Sequence, residues 1–396
     1  FDKGTAYAVF EGHTMNDMKP YAYKTIDFGK TWESIITDDI TGFVRNIQED
    51  YVNPNLLFLG TEFGLYITMD GGQSWSKFTN NMPAVAVHFI DLHKTNDLVM
   101  GTHGRGAIII DDISPLREIT PEVLKETLHF FDIKPTVINE EGNFAGNFGT
   151  ETQFTGPNPS RAVQIKYYLK SRHTFGKMTM EIQDMNGNVI SEIGPGKSKG
   201  INIVNWNYSI KQPKVAKGKT FSFGGFTRPN VEAGTYKVVI KKGKDTYEKT
   251  FDVIYDPKST LTEADRKLQH KTTMKLYNMT QELAYIVYEL DAIIDNAGTV
   301  KNKKLSNSLN QLKETLVITT GDNYVGSAEP QLREKMATLY SKISGSYDKP
   351  SNAELENLSL IEERFTKAKE DFNKLKKKAK FVKDLQLKTY DEFVND

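Results

Sequence analysis

The alternation of apolar and polar positions changes twice along the chain, and each regime predicts a different kind of element. Up to about residue 115, short apolar runs such as Phe58-Leu59 and Leu65-Tyr66-Ile67 are separated by Gly- and Asp-rich turns, a pattern of short strands. From 160 to 257 the chain alternates in strand fashion, as in Val163-Gln164-Ile165-Lys166-Tyr167-Tyr168-Leu169 and Tyr236-Lys237-Val238-Val239-Ile240. Turn signals fall at Asn186-Gly187-Asn188, Gly194-Pro195-Gly196 and Glu232-Ala233-Gly234, so this stretch predicts an antiparallel sandwich. Trp206 is expected in its core, residues 211–230 as a long loop or extended hairpin, and Pro257 as its exit.

Beyond 259 the apolar steps become three and four. Leu276, Met279, Leu283, Ile286, Leu290, Ile293 and Ala297 trace one long amphipathic helix, and Leu358, Ile361, Phe365, Ala368, Phe372, Leu375, Ala379 and Val382 a second. Leu305, Leu309, Leu312 and Leu316, then Leu332, Met336, Leu339 and Ile343, predict two shorter ones. Thr262 with Asp265 and Ser351 with Glu354 suit helix N-termini, and Pro330 suits a first turn. Gly321-Asp322-Asn323 and Pro350 separate the elements. The expected result is an antiparallel bundle of about four helices, although its heptad seam could instead serve oligomerisation.

Within the first regime a composite motif recurs 43 residues on: Thr25-x-Asp27-x-Gly29-x-Thr31-Trp32, then Thr68-x-Asp70-x-Gly72-x-Ser74-Trp75. Asp27 and Asp70 fall where a carboxylate can accept backbone N–H groups of a tight turn, and Gly29 and Gly72 can supply positive φ. Thr31 and Ser74 offer hydroxyls to the same turn, and Trp32 and Trp75 open the next strand as apolar anchors. The flanks repeat too: Phe58-Leu59-Gly60-Thr61-Glu62-Phe63-Gly64 is echoed by Val99-Met100-Gly101-Thr102-His103-Gly104. The series decays at Asp111-Asp112-Ile113-Ser114-Pro115. A period of this length marks a repeat architecture.

These residues resemble the Asp-box of bacterial neuraminidase repeats, found in sialidases, xyloglucanase-type glycosidases and the sortilin-like domain. The stretch from Pro20-Tyr21 to Gly101-Thr102-His103-Gly104-Arg105-Gly106 is similar to the final blades of large bacterial sortilin-like proteins, often labelled glycosyl hydrolases. The segment Asp184-x-Asn186-Gly187-Asn188, Trp206 and Gly234-Thr235-Tyr236 resembles an immunoglobulin-like sandwich. The fold class implied is β plus α: the last two to three blades of a β-propeller over 1–115, and a linker with a connecting strand and a short helix at 120–127 over 116–159. An immunoglobulin-like sandwich over 160–257 and a helical bundle over 258–396 complete it. In the families resembled, the Asp-box turns lie at the blade periphery and do no chemistry.

Composition narrows the partners. Lys plus Arg and Asp plus Glu each number 51, so no global field favours nucleic acid. No apolar run approaches the roughly 18 to 20 residues of a membrane span. The absence of cysteine excludes disulfides and thiolate metal sites but leaves an extracytoplasmic address open. About 115 residues at this period give fewer than three blades, whereas a closed propeller has typically four to eight. The chain is therefore expected to be the C-terminal part of a longer protein.

Candidate chemistry is sparse. Glu11, Asp17, Glu62, Asp91 and Asp111 are acidic candidates for a glycosidase pair, which needs two carboxylates facing one cleft. None has a diagnostic neighbour, so no catalytic residue is assigned. Glu11-Gly12-His13 with Asp17 could form a polar cluster or simply an exposed connection. In Gly101-Thr102-His103-Gly104-Arg105-Gly106, His103 and Arg105 are candidate ligand contacts; alternatively Arg105 hydrogen-bonds a neighbouring blade. The strand that follows rules out a phosphate loop. His88 and His93 lack a zinc-hydrolase setting, and Asp38-Asp39 and Asp111-Asp112 lack calcium-loop spacing, so neither metal nor cofactor is expected. The lysines from Lys374 to Lys383 read as a solvated helix face. The expected function is a non-catalytic, sortilin-like, protein- or peptide-binding component of an extracytoplasmic or cell-surface assembly, with glycan as a further candidate ligand. The alternative is an Asp-box glycoside hydrolase whose catalytic carboxylates lie in further N-terminal blades.

Overall fold

The computed structural model describes residues 1–140, 160–220, 227–299, 302–321 and 328–395, with the side chains of 297–299 excepted. Ala297 of the helical stripe, the Asp322-Asn323 separator, residues 141–159 of the connecting segment and residues 221–226 of the expected loop fall outside this set. The chain divides into two compact units: Phe1–Asp132 with Lys166–Thr174 and Gly196–Ile203, and Ile133–Ile165 with Phe175–Pro195 and Val204–Asp396.

The first unit holds successive antiparallel sheets. One contains β1 (Ala6–Gly12), β2 (Asp17–Thr25) and β3 (Glu33–Ser34). The next contains β4 (Val44–Glu49), β5 (Leu57–Thr61), β6 (Gly64–Thr68) and β7 (Ser76–Lys77). A third contains β8 (Val87–Leu92), β9 (Leu98–Thr102) and β10 (Ala107–Ile110). The apolar run at 56–59 is continuous because both faces of the middle sheet are covered. Leu57, Leu59 and Tyr66 pack with Ala22, Ile35 and Trp75, while Leu56, Phe58, Leu65 and Ile67 pack with Ile90, Leu98 and Met100. Each fully buried Leu or Phe contributes about 1.5–3 kcal/mol relative to exposure.

The array ends on α1 (Ser114–Glu118), whose Arg117 reaches the fully buried Asp50. Arg117 Nη2 donates to Asp50 Oδ1 at 2.7 Å and Nε to Oδ2 at 2.9 Å, and the guanidinium lies 4.7 Å from the Tyr51 ring centroid. A carboxylate so deeply placed needs such a bidentate partner. The helix expected at 120–127 is instead a single 3-10 turn, Val123–Lys125, preceded by α1; Pro115 inside α1 suits the first turn, where its missing N–H costs nothing. The unit also contains β11 (Leu128–Phe130), whose residues pair with Leu169, Tyr168 and Tyr167.

In the second unit, β14 (Met178–Gln183), β15 (Val189–Ile193), β17 (Gly234–Lys242) and β18 (Asp245–Ile254) pair antiparallel, and β12 (Thr136–Val137) joins β18 in parallel. The strands β13 (Val163–Leu169) and β16 (Gly200–Trp206) are divided between the units, Lys166–Leu169 and Gly200–Ile203 belonging to the first. Trp206 is buried, edge-on to Tyr236 and Phe251, with Nε1 donating to the Ser209 carbonyl at 3.1 Å.

The helices are α2 (Glu263–Thr299), α3 (Lys303–Leu316), α4 (Leu332–Ser344), α5 (Asn352–Lys378) and α6 (Tyr390–Asn395). Their predicted stripes meet in one core that includes Leu276, Leu283, Leu290, Leu309, Met336, Leu339, Ile361 and Phe365. Two boundaries differ from expectation. Pro330 precedes α4 rather than opening it, since Gln331 and Glu334 form the capping box, and α5 stops at Lys378, so Val382 sits in a separate 3-10 turn, Lys380–Asp384. Thr262 and Ser351 each accept the backbone N–H three residues on, as capping hydroxyls do.

Candidate functional site

The repeat places equivalent positions at corresponding strand ends, and in the first unit this brings together polar residues distant in sequence. Glu11 lies near the end of β1, Arg45 on β4, His88 on β8 and His103 just after β9. Arg45 grips Glu11 in a fork, Nε donating to Oε2 at 2.5 Å and Nη2 to Oε1 at 2.6 Å. Its remaining nitrogen, Nη1, lies 3.1 Å from His88 Nδ1. A guanidinium can only donate, so the His88 nitrogen that pairs with it accepts and the ring is neutral; Nδ1 is the nearer of the two, with Nε2 at 3.4 Å. Burial, then the Arg45 charge, pushes the His88 pKa down in agreement.

Aromatic stacking continues the cluster. His88 stacks on His103 with centroids 5.3 Å apart, and His13 stacks on Phe43 at 4.7 Å. His13 Nδ1 is 3.3 Å from Glu11 Oε2, within ion-pair range, but makes no hydrogen bond. The Arg45 hydrogen bonds hold the Glu11 carboxyl below the usual range. The stem of the site is stiff: His103 N–H donates to Ala86 O at 2.9 Å, and Thr102 N–H to Gly106 O at 2.9 Å across the β9–β10 hairpin. That hairpin needs Gly104 and Gly106 at φ 95° and 65°, conformations that cost little without a Cβ.

The expected residues are only partly assembled here. Glu11, His13 and His103 join the cluster; Asp17 does not, being held locally by the Tyr21 hydroxyl at 2.7 Å. Arg105 is exposed and, among the described residues, makes none of the hydrogen bonds to a neighbouring blade that the tight-connection reading calls for, because the hairpin points are held by backbone instead. Arg45 is not among the sequence candidates, and His88 enters there only as a metal candidate. Their signal was the period itself, since they lie 43 residues apart at equivalent positions of β4 and β8. Among the described residues no group of three or more His, Asp or Glu is disposed to hold a metal ion.

The Asp-box residues form separate clips. Asp27 accepts from Thr31 N (2.9 Å), Lys30 N (2.9 Å), Thr31 Oγ1 (2.7 Å) and Thr25 Oγ1 (2.8 Å). Asp70 accepts from Ser74 N (2.9 Å), Ser74 Oγ (2.5 Å) and Thr68 Oγ1 (2.6 Å). Thr25 and Thr68 in turn accept from Gly29 N and Gly72 N at 3.0 and 3.1 Å. These bonds tie each aspartate to its own turn.

No protein-family model matches the chain, and no curated protein does. Among solved structures it is similar to PorZ, described as an essential bacterial surface component of the type-IX secretion system of Porphyromonas gingivalis, at 14% identity over 53% of this chain and 30% of that one (TM-score 0.16). It is similar to the GH74 enzyme of Niastella koreensis at 14% identity over 63% of this chain and 37% of the enzyme (TM-score 0.24). It is also similar to YCF48 bound to a D1 peptide, at 12% identity over 58% of this chain and 61% of YCF48 (TM-score 0.19). The chain thus spans 30% of PorZ and 37% of the GH74 enzyme, and likeness of this degree assigns it no activity. No helix among the described residues is long and apolar enough to cross a membrane.

Proposed function

We propose that the chain is a non-catalytic, sortilin-like propeller component of an extracytoplasmic or cell-surface assembly, and that it binds an acidic peptide segment at the Glu11–Arg45–His88–His103 cluster. In this reading residues 1–115 are the last propeller blades and 116–159 a linker. Residues 160–257 form an immunoglobulin-like sandwich and 258–396 a helical bundle that act as docking modules. The observation that carries it is the Glu11–Arg45 fork. The cluster's one carboxylate has both oxygens engaged by a permanent cation, which disqualifies it as a proton donor and leaves a surface suited to recognition. Arg105, exposed beside His103, is the uncompensated charge that would draw a carboxylate-bearing segment.

The test is fluorescence anisotropy of the chain with a labelled Glu-rich decapeptide and its Lys-rich counterpart, together with incubation with xyloglucan oligosaccharides. The acidic peptide is expected to bind in preference, with Arg105→Ala weakening it about threefold at low salt. Equal binding of both peptides, or turnover of the glycan, overturns the proposal.

A further inference from the structure

A second polar site lies within the other unit and owes nothing to the repeat cluster. Asn139, Asn207, Tyr208, Asn230, Ser344 and Tyr347 are among the residues lining a cavity of about 450 Å³. A smaller pocket of about 40 Å³ shares Asn230, Ser344 and Tyr347 as walls and is closed by Gln269, His270 and Thr273. Thr273 is 3% exposed, and its Oγ1 has no hydrogen-bond partner. A hydroxyl that deep is ordinarily satisfied, and a polar pocket of this size has room for water or for a ligand's own polar group.

The polar groups above it form a directional chain. Asn230 Nδ2 donates to the Tyr347 hydroxyl at 2.6 Å. Tyr347 faces Tyr208, whose hydroxyl accepts from Asn139 N–H at 3.3 Å. The two phenols are hydrogen-bonded to each other, which uses one phenol proton; with Tyr347 as the donor of that pair, the proton of the Tyr208 hydroxyl is left to donate outward. Tyr208 also holds φ at +40°, an uncommon conformation for a bulky residue. It is fixed there by its own carbonyl, which accepts from Val231 N–H at 2.8 Å, and by the Ser209–Asn230 bridge beside it. Strained residues held from several sides are characteristic of binding sites.

Amide, phenol and hydroxyl groups make up most of the lining of the larger cavity, Arg161 is its one charged side chain and no carboxylate lines it, and the volume suits a ligand the size of a sugar. We infer that this cleft binds a small hydroxyl-rich ligand of the mono- or disaccharide class, with Tyr208 donating to a ligand oxygen and Asn207 and Asn230 supplying amide contacts. The buried Thr273 hydroxyl would be satisfied through water beneath the ligand.

Saturation-transfer NMR and titration calorimetry on the full chain test this with glucose, galactose, mannose, N-acetylglucosamine, cellobiose and glucuronate. At least one sugar is expected to bind, and Tyr208→Phe, which keeps the ring and removes the donor, is expected to weaken it about tenfold with an unchanged circular dichroism spectrum. Asn207→Ala, at an exposed position, supplies a second variant independent of the Tyr208 backbone and is expected to weaken binding about threefold. Preference for glucuronate over glucose would identify an acidic sugar, and the reverse a neutral one. No binding by any sugar at about 10 mM, a concentration that fills most of a site of millimolar affinity, or binding that neither variant alters, overturns the inference.

Discussion

The two copies of the Thr-x-Asp-x-Gly motif make nearly the same turn and do different work. Three of the donors to Asp27 have counterparts at Asp70, yet the tryptophans that follow diverge. Trp75 is 5% exposed and its Nε1 donates 2.8 Å to the Ile35 carbonyl of the preceding sheet. Trp32 is 43% exposed and its Nε1 turns back on its own loop, to Gly29 O at 3.2 Å. Anchoring is therefore not a property of the motif. It belongs to the neighbouring sheet, which Trp75 has at Ile35 and Trp32 lacks among the described residues.

The sharpest way to break this comparison is to remove each ring. Trp75→Ala is expected to cost the first unit about 3–5 kcal/mol, combining lost burial with a lost cross-sheet hydrogen bond. Trp32→Ala is expected to stay within about 0.5–1 kcal/mol. Hydrogen exchange of the β4–β7 amides reads the difference locally, and equal losses in the two variants would mean the exposed ring is covered in solution. The glycines give a smaller contrast. Gly29 and Gly72 hold φ at 82° and 100°, so alanine costs about 1–2 kcal/mol at either. At Gly72 the new Cβ would also meet Ile35 Cβ at 3.0 Å, whereas at Gly29 its nearest neighbour is Trp32 at 3.8 Å. Urea denaturation should rank Gly72→Ala below Gly29→Ala; the opposite order would show that Ile35 yields freely.

What could be read in the sequence follows the same division between local and distant causes. The turns were legible because every donor and acceptor lies within a few residues of Asp27 or Asp70. The helical stripes were legible because their period is intrinsic to the backbone. The different fates of Trp32 and Trp75 were not, since identical local signals precede both and only the neighbouring sheet separates them. The Glu11–Arg45 fork was hidden for a related reason: its partners lie 34 residues apart and meet only once β1 and β4 are adjacent. The helix overrun past Lys378 is the converse case, where apolar spacing persisted into residues that adopt a 3-10 turn.

The subtlest contrast is electrostatic. Asp27 is held down to about 2, chiefly by the Thr31 backbone N–H and then the Thr31 hydroxyl. At Asp70 burial is the largest influence and pushes the carboxyl up; the bonds from Ser74 and Thr68 together outweigh it, so the net shift is still downward. A carboxylate whose pKa is depressed on folding contributes stability that is fully present above its unfolded value, about 3.9, and is lost as pH falls through the folded one. Stability of the first unit should therefore decline between about pH 4 and pH 2. Asp27→Asn removes a titrating group from that window and is expected to flatten the decline, and Asp70→Asn to flatten it less because burial already offsets part of its shift. Urea midpoints followed by tryptophan fluorescence at intervals across this range decide the order. A slope left unchanged by Asp27→Asn would mean that its four hydrogen bonds form as readily with an amide, and that the carboxylate charge has no part in closing the turn.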